Sequence, residues 1–253
     1  MDDFGNCFFS TLSGGTIHKI SANGDSTIWA TSLCPNGQAL LHNGHHLVCD
    51  SKLGTLIRYD NEGNFIRLEI NKSCAGEIIH VPNDVIIDKK GNIYFTDSIR
   101  ENGKIGFISN DGHERIIAKN LDYPNGLAMS NDEKTLFVAE SYKNRIIAYD
   151  VTDECLVTDQ FRIVCYLPEH PSNDITNNLP DGLKVDQKNN LWIAHYGMGM
   201  IHVIEANGTL LHSIQTSFRL PSNLFIKDNI ITITGGYDEP GPGGLLQIEW
   251  EYE

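Results

Sequence analysis

The sequence is short of positive charge. Its 253 residues carry 19 Lys and Arg against 33 Asp and Glu, a formal net charge of −14 with histidine neutral. Such a chain repels a phosphate backbone unless its basic residues cluster, and no cluster of them stands out along the sequence. The sequence therefore predicts no nucleic-acid partner.

Long apolar runs and paired cysteines are missing as well. No window approaches 18 consecutive apolar residues, and residues 1–5 lack the basic and then apolar profile of a signal peptide, so we expect no membrane association and a cytoplasmic location. No Cys-x-x-Cys spacing indicates a zinc knuckle or a redox dithiol, and free thiols are expected. The six cysteines are Cys7, Cys34, Cys49, Cys74, Cys155 and Cys165.

The chain contains a repeat instead. Each unit opens with a proline and a small polar pair, followed by two short apolar segments around a turn. Units open at Pro35, Pro82, Pro124, Pro180 and Pro221. Their spacing is typical of one four-stranded propeller blade per repeat. Helical repeats of similar length are the alternative, but the apolar positions favour β-branched and aromatic residues and show no sustained 3.6-residue period. We predict an all-β, six-bladed β-propeller that forms one domain over residues 1–253.

The two ends of the repeat are incomplete. Gly5-Asn6 matches Gly91-Asn92, which lies nine residues after Pro82, so the first unit would open about four residues before Met1. The first inner strand is therefore expected to be missing, and the last unit stops at Trp250, one outer strand short. Open sheet edges at the first and last blades predict possible self-association.

Polar residues recur at the ends of the predicted strands. In an antiparallel blade, the start of the first strand and the end of the second lie on one face, so these residues are expected to surround one pore mouth. The strand starts give Asn36, Asn83, Asn125, Asp181 and Ser222-Asn223, and the strand ends give Asp50, Asp97, Glu140 and His195. Such oxygens suit a hard cation such as calcium, although Asn and Asp after proline are also common turn formers. Asp181 is the strongest functional candidate, because a buried carboxylate needs a partner or a metal.

Two loops and a histidine cluster complete the candidates. The insertion at residues 167–174 and the Gly-rich loop at 235–242 fall on the pore-mouth side, where the first predicts a lid or substrate wall. In the second loop, Tyr237 is predicted either to stack on a substrate ring or to lie in a plain connector. The cluster His42, His45 and His46 lies in a turn on the opposite face and is not expected to bind a metal.

The ordered motifs resemble those of the gluconolactonase and senescence-marker-protein family, which also includes luciferin-regenerating enzyme. The matching stretches are Pro82-Asn83-Asp84 through Phe95-Thr96-Asp97-Ser98, Pro124-Asn125-Gly126 through Ala139-Glu140-Ser141, and Pro180-Asp181-Gly182 through Ala194-His195-Tyr196-Gly197. The resemblance spans nearly the whole chain and implies a six-bladed propeller that hydrolyses sugar lactones or related esters with one divalent ion, often calcium.

The resemblance also implies roles for individual residues. Asn125 and Asp181 match the family's metal ligands, Asp181 also its catalytic residue, and Asn83 the residue beside metal and substrate. The remaining family ligand, a Glu in the first inner strand, has no counterpart here, since Asp2 and Asp3 fall several residues past its place.

Together the residues and the resemblance predict a metal-dependent lactone hydrolase. Asp181 would act as general base and His195 as proton shuttle on a small-molecule substrate. The ion would be Ca²⁺, with Zn²⁺, Mn²⁺ or Mg²⁺ as alternatives. The predicted substrate-binding residues are Asn83, Asn36, Asp97, Glu140 and Tyr237. A non-catalytic propeller that binds a small molecule or a partner is the alternative function.

Overall fold

The computed structural model describes residues 2, 4–152, 160–172 and 174–251. These residues form β-strands joined by tight turns, together with two 3₁₀ helices at Ser141–Lys143 and Ile175–Asn177. Within this part of the chain, no helix is long and apolar enough to cross a bilayer. The chain divides into two compact units, Met1–Asn120 and Leu121–Glu253.

The first unit contains three antiparallel sheets and a small hairpin, each made of strands consecutive in the chain. The first sheet consists of β1 (Cys7–Thr11), β2 (Thr16–Ile20) and β3 (Ser26–Thr31). The second consists of β4 (Pro35–Leu40), β5 (His46–Asp50), β6 (Thr55–Tyr59) and β7 (Phe65–Asn71). The hairpin pairs β8 (Ser73–Cys74) with β9 (Glu77–Ile78). The third sheet consists of β10 (Pro82–Ile87), β11 (Ile93–Asp97), β12 (Gly103–Ile108) and β13 (Glu114–Leu121).

The second unit contains three further antiparallel sheets. The fourth sheet consists of β14 (Pro124–Met129), β15 (Thr135–Glu140), β16 (Arg145–Asp150) and β17 (Arg162–Tyr166). The fifth consists of β18 (Leu179–Val185), β19 (Leu191–Tyr196), β20 (Met200–Ile204) and β21 (Leu210–Gln215). The sixth consists of β22 (Leu220–Lys227), β23 (Ile230–Gly236) and β24 (Gly243–Glu249).

Six successive antiparallel sheets are the blades of a six-bladed β-propeller, so the predicted fold class is confirmed. Each repeat proline begins the first strand of its blade or lies one residue into it. That the chain forms a single domain, and that an open blade edge supports self-association, stay predictions.

An aspartate turn precedes the second strand of several blades. Before β11, the carboxylate of Asp88 accepts hydrogen bonds from the backbone and side-chain nitrogens of Asn92, at 2.8 and 2.7 Å. Asp2 accepts the same two bonds from Asn6 before β1, at 2.8 and 2.7 Å. The first sheet thus contains the second to fourth strands of a blade, as predicted. Asp2 is held in this turn, and Asp3 lies outside the described residues.

Second strands are among the most buried parts of the second to fifth blades. Every residue of β5 and β11 is buried, whereas outer strands such as β7 and β21 are mostly exposed. Apolar side chains pack between neighbouring sheets of the same unit, including Leu47 with Phe95 and Phe137 with Ile193. Such close packing makes the ends of these strands a rigid support for polar side chains. Five cysteines are free thiols, and Cys155 lies outside the described residues.

Pairing between the first and second strands breaks directly after each repeat proline. In the fourth and fifth blades, for example, the register shifts between Pro124 and Leu127 and between Pro180 and Leu183. The first strands of the second, third and sixth blades show the same irregularity. The small polar pair of each repeat therefore lies in a β-bulge, where a side chain is turned out of the regular ladder.

Glycine follows the polar residue in several of these bulges because neighbouring backbones nearly touch there. A Cβ atom on Gly126 would lie 2.2 Å from the carbonyl oxygen of Asp181, and one on Gly37 would lie 2.5 Å from that of Asn83. Neither distance is possible for a real side chain. The glycines are thus required for adjacent first strands of one unit to approach each other.

Two buried histidines link the strands of the fifth blade. His195 Nδ1 lies 3.0 Å from His202 Nε2, and His202 Nδ1 lies 2.9 Å from Ser213 Oγ. Burial lowers the pKa of His202 to about 4. Burial, and then the neighbouring His202, lower the pKa of His195 to about 3, although the nearby backbone of Asn178 opposes the shift. Both rings are therefore neutral at pH 7.

We expect Gly126→Ala to destabilise the protein by about 1–3 kcal/mol, because the added methyl group must push apart two backbones. The matched control is Gly244→Ala, whose new methyl would meet the ring of Phe218 at an ordinary 3.5 Å, and which should change stability by less than about 0.5 kcal/mol. Urea unfolding of the three proteins measures both values. Equal stability of the two variants would contradict the close approach.

The buried histidines should make the protein less stable in mild acid. Because both folded-state pKa values lie below the ordinary value of 6.5, the unfolded chain binds protons more readily, and stability falls as the pH drops from 6.5 towards about 3. His202→Gln should reduce the loss of unfolding free energy between pH 7.5 and pH 5, whereas the exposed His212→Gln should leave it unchanged. An equal loss of unfolding free energy in the unaltered protein and in both variants would show that His202 does not cause the acid sensitivity.

Candidate active site

The bulges bring the predicted metal ligands of the second unit together. Asn125 and Asp181 occupy equivalent bulges in β14 and β18, whose backbones meet at Gly126. Asn125 is buried and Asp181 is partly exposed, so one amide and one carboxylate share the ends of two adjacent strands. Asn223 continues the row in β22, because a Cβ on Gly182 would lie 2.3 Å from its Oδ1 atom.

The first unit repeats this arrangement with two asparagines. Asn36 and Asn83 occupy the bulges of β4 and β10, where Gly37 lies against the backbone of Asn83. Ser10 Oγ donates a hydrogen bond of 2.8 Å to the carbonyl of Asn36. Both asparagines thus lie at the starts of first strands, as the sequence predicts. Their predicted role in substrate binding stays a prediction.

A serine fixes the amide orientation in each unit. Asn125 Nδ2 donates to Ser141 Oγ at 3.2 Å, and Ser141 Oγ donates to the carbonyl of Pro180 at 2.7 Å. In the first unit, Asn36 Nδ2 donates to Ser51 Oγ at 3.1 Å, which donates to a proline carbonyl of the next blade at 2.7 Å. Because each bond uses the amide nitrogen, it sets the direction of the amide oxygen, the atom that binds cations. The sequence analysis did not select these serines, although each follows a strand-end acid.

The carboxylates at the ends of the second strands hold the loops before the prolines. Asp50 Oδ2 accepts hydrogen bonds from two loop amides at 2.8 and 3.0 Å, and Asp97 Oδ1 accepts two at 2.9 and 2.7 Å. Glu140 accepts one from Asp122 N at 2.8 Å and one from Arg145 Nε at 2.6 Å. Burial opposes ionisation of Asp50, but hydrogen bonds from Ser32 and the backbone outweigh it and lower the pKa of this carboxyl. These contacts position the loops, and the substrate-binding roles of Asp97 and Glu140 stay predictions.

His195 occupies the corresponding position of the fifth blade. It is fully buried and bound to His202, in place of the carboxylate found in other blades. The backbone of Asn178, in the loop before Pro180, lies close enough to this ring to affect its pKa. Asn178 in turn binds the backbone amide of His170 through Oδ1 at 2.6 Å and the carbonyl of Asp174 through Nδ2 at 2.8 Å. His195 therefore lies beside the loop that Asn178 organises, and its role as a proton shuttle stays a prediction.

Tyr123 lies close to Asp181 in a strained conformation. Its φ of 62° is left-handed although it directly precedes Pro124, where extended backbone is preferred, at a cost of about 1–3 kcal/mol. The ring packs edge-on against Tyr142, with centroids 5.4 Å apart. Burial, and then the charge of Asp181, raise the pKa of Tyr123 to about 12. Its hydroxyl is therefore a neutral donor at pH 7.

A second tyrosine connects this region to the Gly-rich loop. The hydroxyl of Tyr196 donates a hydrogen bond to the carboxylate of Glu239. Burial, followed by Glu239 and Asp181, raises the pKa of Tyr196. Tyr237 lies in the same loop, half exposed, with its ring 5.1 Å from that of Phe218. The sequence analysis selected Tyr237 but missed Tyr123, Tyr196 and Glu239. Tyr123 precedes a repeat proline and Tyr196 follows His195, and these positions were the available signals; Glu239 had none.

A polar pocket of about 380 Å³ lies beside Gly197 in the second unit. His170 of the insertion forms part of its wall, together with Asn177 of the following 3₁₀ helix and Arg219. Arg219 Nη1 donates to Asp238 Oδ1 at 3.2 Å and so ties the pocket wall to the Gly-rich loop. The predicted insertion thus forms a wall of this pocket. Asn173, within the insertion, lies outside the described residues.

The protonatable and thiol side chains that the structure describes contain no group of three or more that could by itself hold a metal ion. Asn125 and Asp181 present two oxygen donors of the kind that hard cations prefer. The donor chemistry therefore fits a hard divalent cation, with water or substrate oxygens as further ligands.

Comparisons with known proteins give relatives over most of the chain. Lactonase drp35 from Staphylococcus saprophyticus is 26% identical over 229 residues, which are 84% of this chain and 67% of that protein. The chain spans only 39% to 67% of the length of such Staphylococcus lactonases.

Solved structures share the fold. A gluconolactonase from Xanthomonas campestris superposes with a TM-score of 0.79 and 26% identity, covering 92% of this chain and 80% of that one. Regucalcin, a calcium-binding protein from Agrobacterium tumefaciens, has a TM-score of 0.75 at 15% identity, covering 99% and 89%, and shows likeness of fold alone. The model of the SMP-30/gluconolactonase/LRE-like region matches residues 1–233. The chain therefore belongs to the SMP-30/gluconolactonase/LRE-like family.

Proposed function

We propose that the protein is a metal-dependent hydrolase of a sugar lactone or a related cyclic ester. The observation that carries the proposal is the pair of adjacent bulges that present Asn125 and Asp181 side by side. The names of the relatives, lactonase and gluconolactonase, support the same reaction class. The pocket beside Gly197, at about 380 Å³, has the size of a small-molecule site.

Asn125 and Asp181 would hold the cation. Ca²⁺ is the favoured ion because amide and carboxylate oxygens are its usual ligands, and the calcium-binding regucalcin shares the fold. Zn²⁺, Mn²⁺ and Mg²⁺ are the alternatives. When bound, such an ion supplies Lewis acidity that polarises a carbonyl and acidifies water.

Asp181 is the proposed general base. It is partly exposed near the start of β18, so a water molecule and a substrate carbonyl can both reach its carboxylate. The hydrogen bond from Asn125 to Ser141 keeps the neighbouring amide oxygen in one orientation. Tyr123, whose raised pKa keeps its hydroxyl protonated, is a proton-donating group near the same carboxylate.

The remaining assignments come from the sequence. His195 as proton shuttle must operate from its neutral form, since its pKa is about 3. Tyr237, half exposed in the Gly-rich loop, is free to contact a substrate ring. Glu140 in the second unit, and Asn36, Asn83 and Asp97 in the first, are proposed to help bind the substrate.

Asp181→Asn should lower kcat for lactone hydrolysis by about 100-fold or more, because it removes the base without changing the size of the side chain. The control is Asp228→Asn, an exposed residue of the same unit whose φ of 55° asparagine also adopts. This variant should retain activity within about twofold. The measurement is initial-rate hydrolysis over a panel of aldonolactones and aryl esters. Full turnover by Asp181→Asn would exclude Asp181 as the base.

Calcium titration by calorimetry on metal-stripped protein should show one site. Asn125→Ala and Asp181→Ala should each weaken binding by about tenfold or more, because each removes an oxygen ligand. Ser141→Ala should weaken it less, since the amide oxygen remains but is no longer oriented. Unchanged calcium affinity in Asp181→Ala would show that the ion binds at another place in the protein. Absence of both metal binding and lactone turnover in the unaltered protein would favour the non-catalytic alternative.

A further inference from the structure

A second pocket lies in the first unit, at the opposite end of the strands from the prolines. Its volume is about 270 Å³. It is lined by turns that follow β4, β10 and β12, with His42, Lys90 and Asn110 among them, and by side chains of β6 and β7. The six-residue strands β4 and β10 separate these turns from Asn36 and Asn83 by about 20 Å. The pocket is therefore distinct from the bulges of this unit.

Two arginines in this pocket share a single carboxylate. Arg58 on β6 and Arg67 on β7 both donate through Nε to the same oxygen of Glu69, Oε1, the second at 2.9 Å. Arg67 Nη2 also lies 3.4 Å from Glu69 Oε2. Glu69 is well buried, with 9% of its side chain exposed. One negative charge thus faces two guanidinium groups.

Among the residues that the structure describes, Arg58 bonds through its side chain to Glu69 alone, by way of Nε. Only 16% of this side chain is exposed. Its two terminal nitrogens carry four further N–H donors and are not sealed from solvent, so a ligand in the pocket can reach them. A planar guanidinium pairs with anionic oxygens through two parallel hydrogen bonds, so these accessible donors suit an anionic ligand.

The local charge supports the same conclusion. The charged residues of the pocket lining are Arg58, Arg67, Lys90 and Glu69, a local charge of about +2 on a chain whose net charge is −14. Two guanidinium groups match the oxygens of a phosphate in a bidentate manner, and the ammonium adds a compact charge. A dianion neutralises this set, whereas a single carboxylate leaves it positive.

We propose that this pocket binds a small phosphate-bearing molecule, a phosphate monoester whose phosphoryl group lies between Arg58 and Arg67. The volume lies just below the range of about 300–1,000 Å³ that is typical of sites for drug-sized ligands, so the organic part is small. The site is independent of lactone hydrolysis, and either can be absent without the other.

The first test is calorimetric titration of the full chain in a phosphate-free buffer at fixed ionic strength. The probes are inorganic phosphate, glucose 6-phosphate and glucose. We expect one site for glucose 6-phosphate, weaker binding of inorganic phosphate and none of glucose. Equal binding of the two phosphates would establish the anion site but overturn the ester as its ligand. No heat from either phosphate at millimolar concentration would overturn the site.

Three substitutions test whether the phosphate compound binds in this pocket. Arg67→Gln, at a side chain that is 60% exposed, should fold normally and weaken glucose 6-phosphate binding by about tenfold or more. Arg115→Gln, which makes the same charge change at an exposed residue of the same unit outside the pocket, should bind like the unaltered protein. Arg58→Lys keeps the positive charge but loses the planar guanidinium that forms two parallel hydrogen bonds, so it should weaken binding as well. Equal weakening by Arg115→Gln and Arg67→Gln would show that the overall charge of the protein, and not this pocket, governs binding, and it would refute the proposal.

Discussion

The break in strand pairing after each repeat proline is the constraint on which the candidate site depends. Within an unbroken ladder, alternate residues would point to opposite faces of the blade. The bulge removes two residues from that alternation, and the following glycine lets the next blade of the same unit approach. Asn125 and Asp181 thereby become neighbours although 56 residues separate them in the chain. The site is a consequence of backbone geometry before any side-chain chemistry is considered.

The buried second strands supply the rigidity that this arrangement needs. Their last residues carry polar side chains whose hydrogen bonds fasten the loop before each proline, as Asp97 and Glu140 do. The fifth blade replaces the acid with a neutral histidine held by His202, and its loop is the inserted one. Backbone donors thus hold the acids in place, whereas the buried histidine stays neutral.

Charge is distributed unevenly within this acidic chain. Around Asp181 the neighbouring tyrosines stay protonated because the carboxylate and burial disfavour a second anion. In the first unit, three basic side chains face one carboxylate in the pocket that contains Arg58. One region suits a cation and the other an anion, and net charge alone would have predicted only the first.

The sequence by itself determined the blades and the positions of Asn125 and Asp181, because proline, turn residues and alternating apolar segments act over a few neighbouring residues. It also identified Asp97 and Glu140 as strand-end acids, but not that their oxygens bind loop amides. Tertiary structure decided the contacts of Ser141, Tyr123 and Glu239, and it assembled Arg58, Arg67 and Lys90 from positions that show no cluster along the chain. Those contacts depend on how sheets pack and loops return, and no local pattern in the sequence encodes such distances.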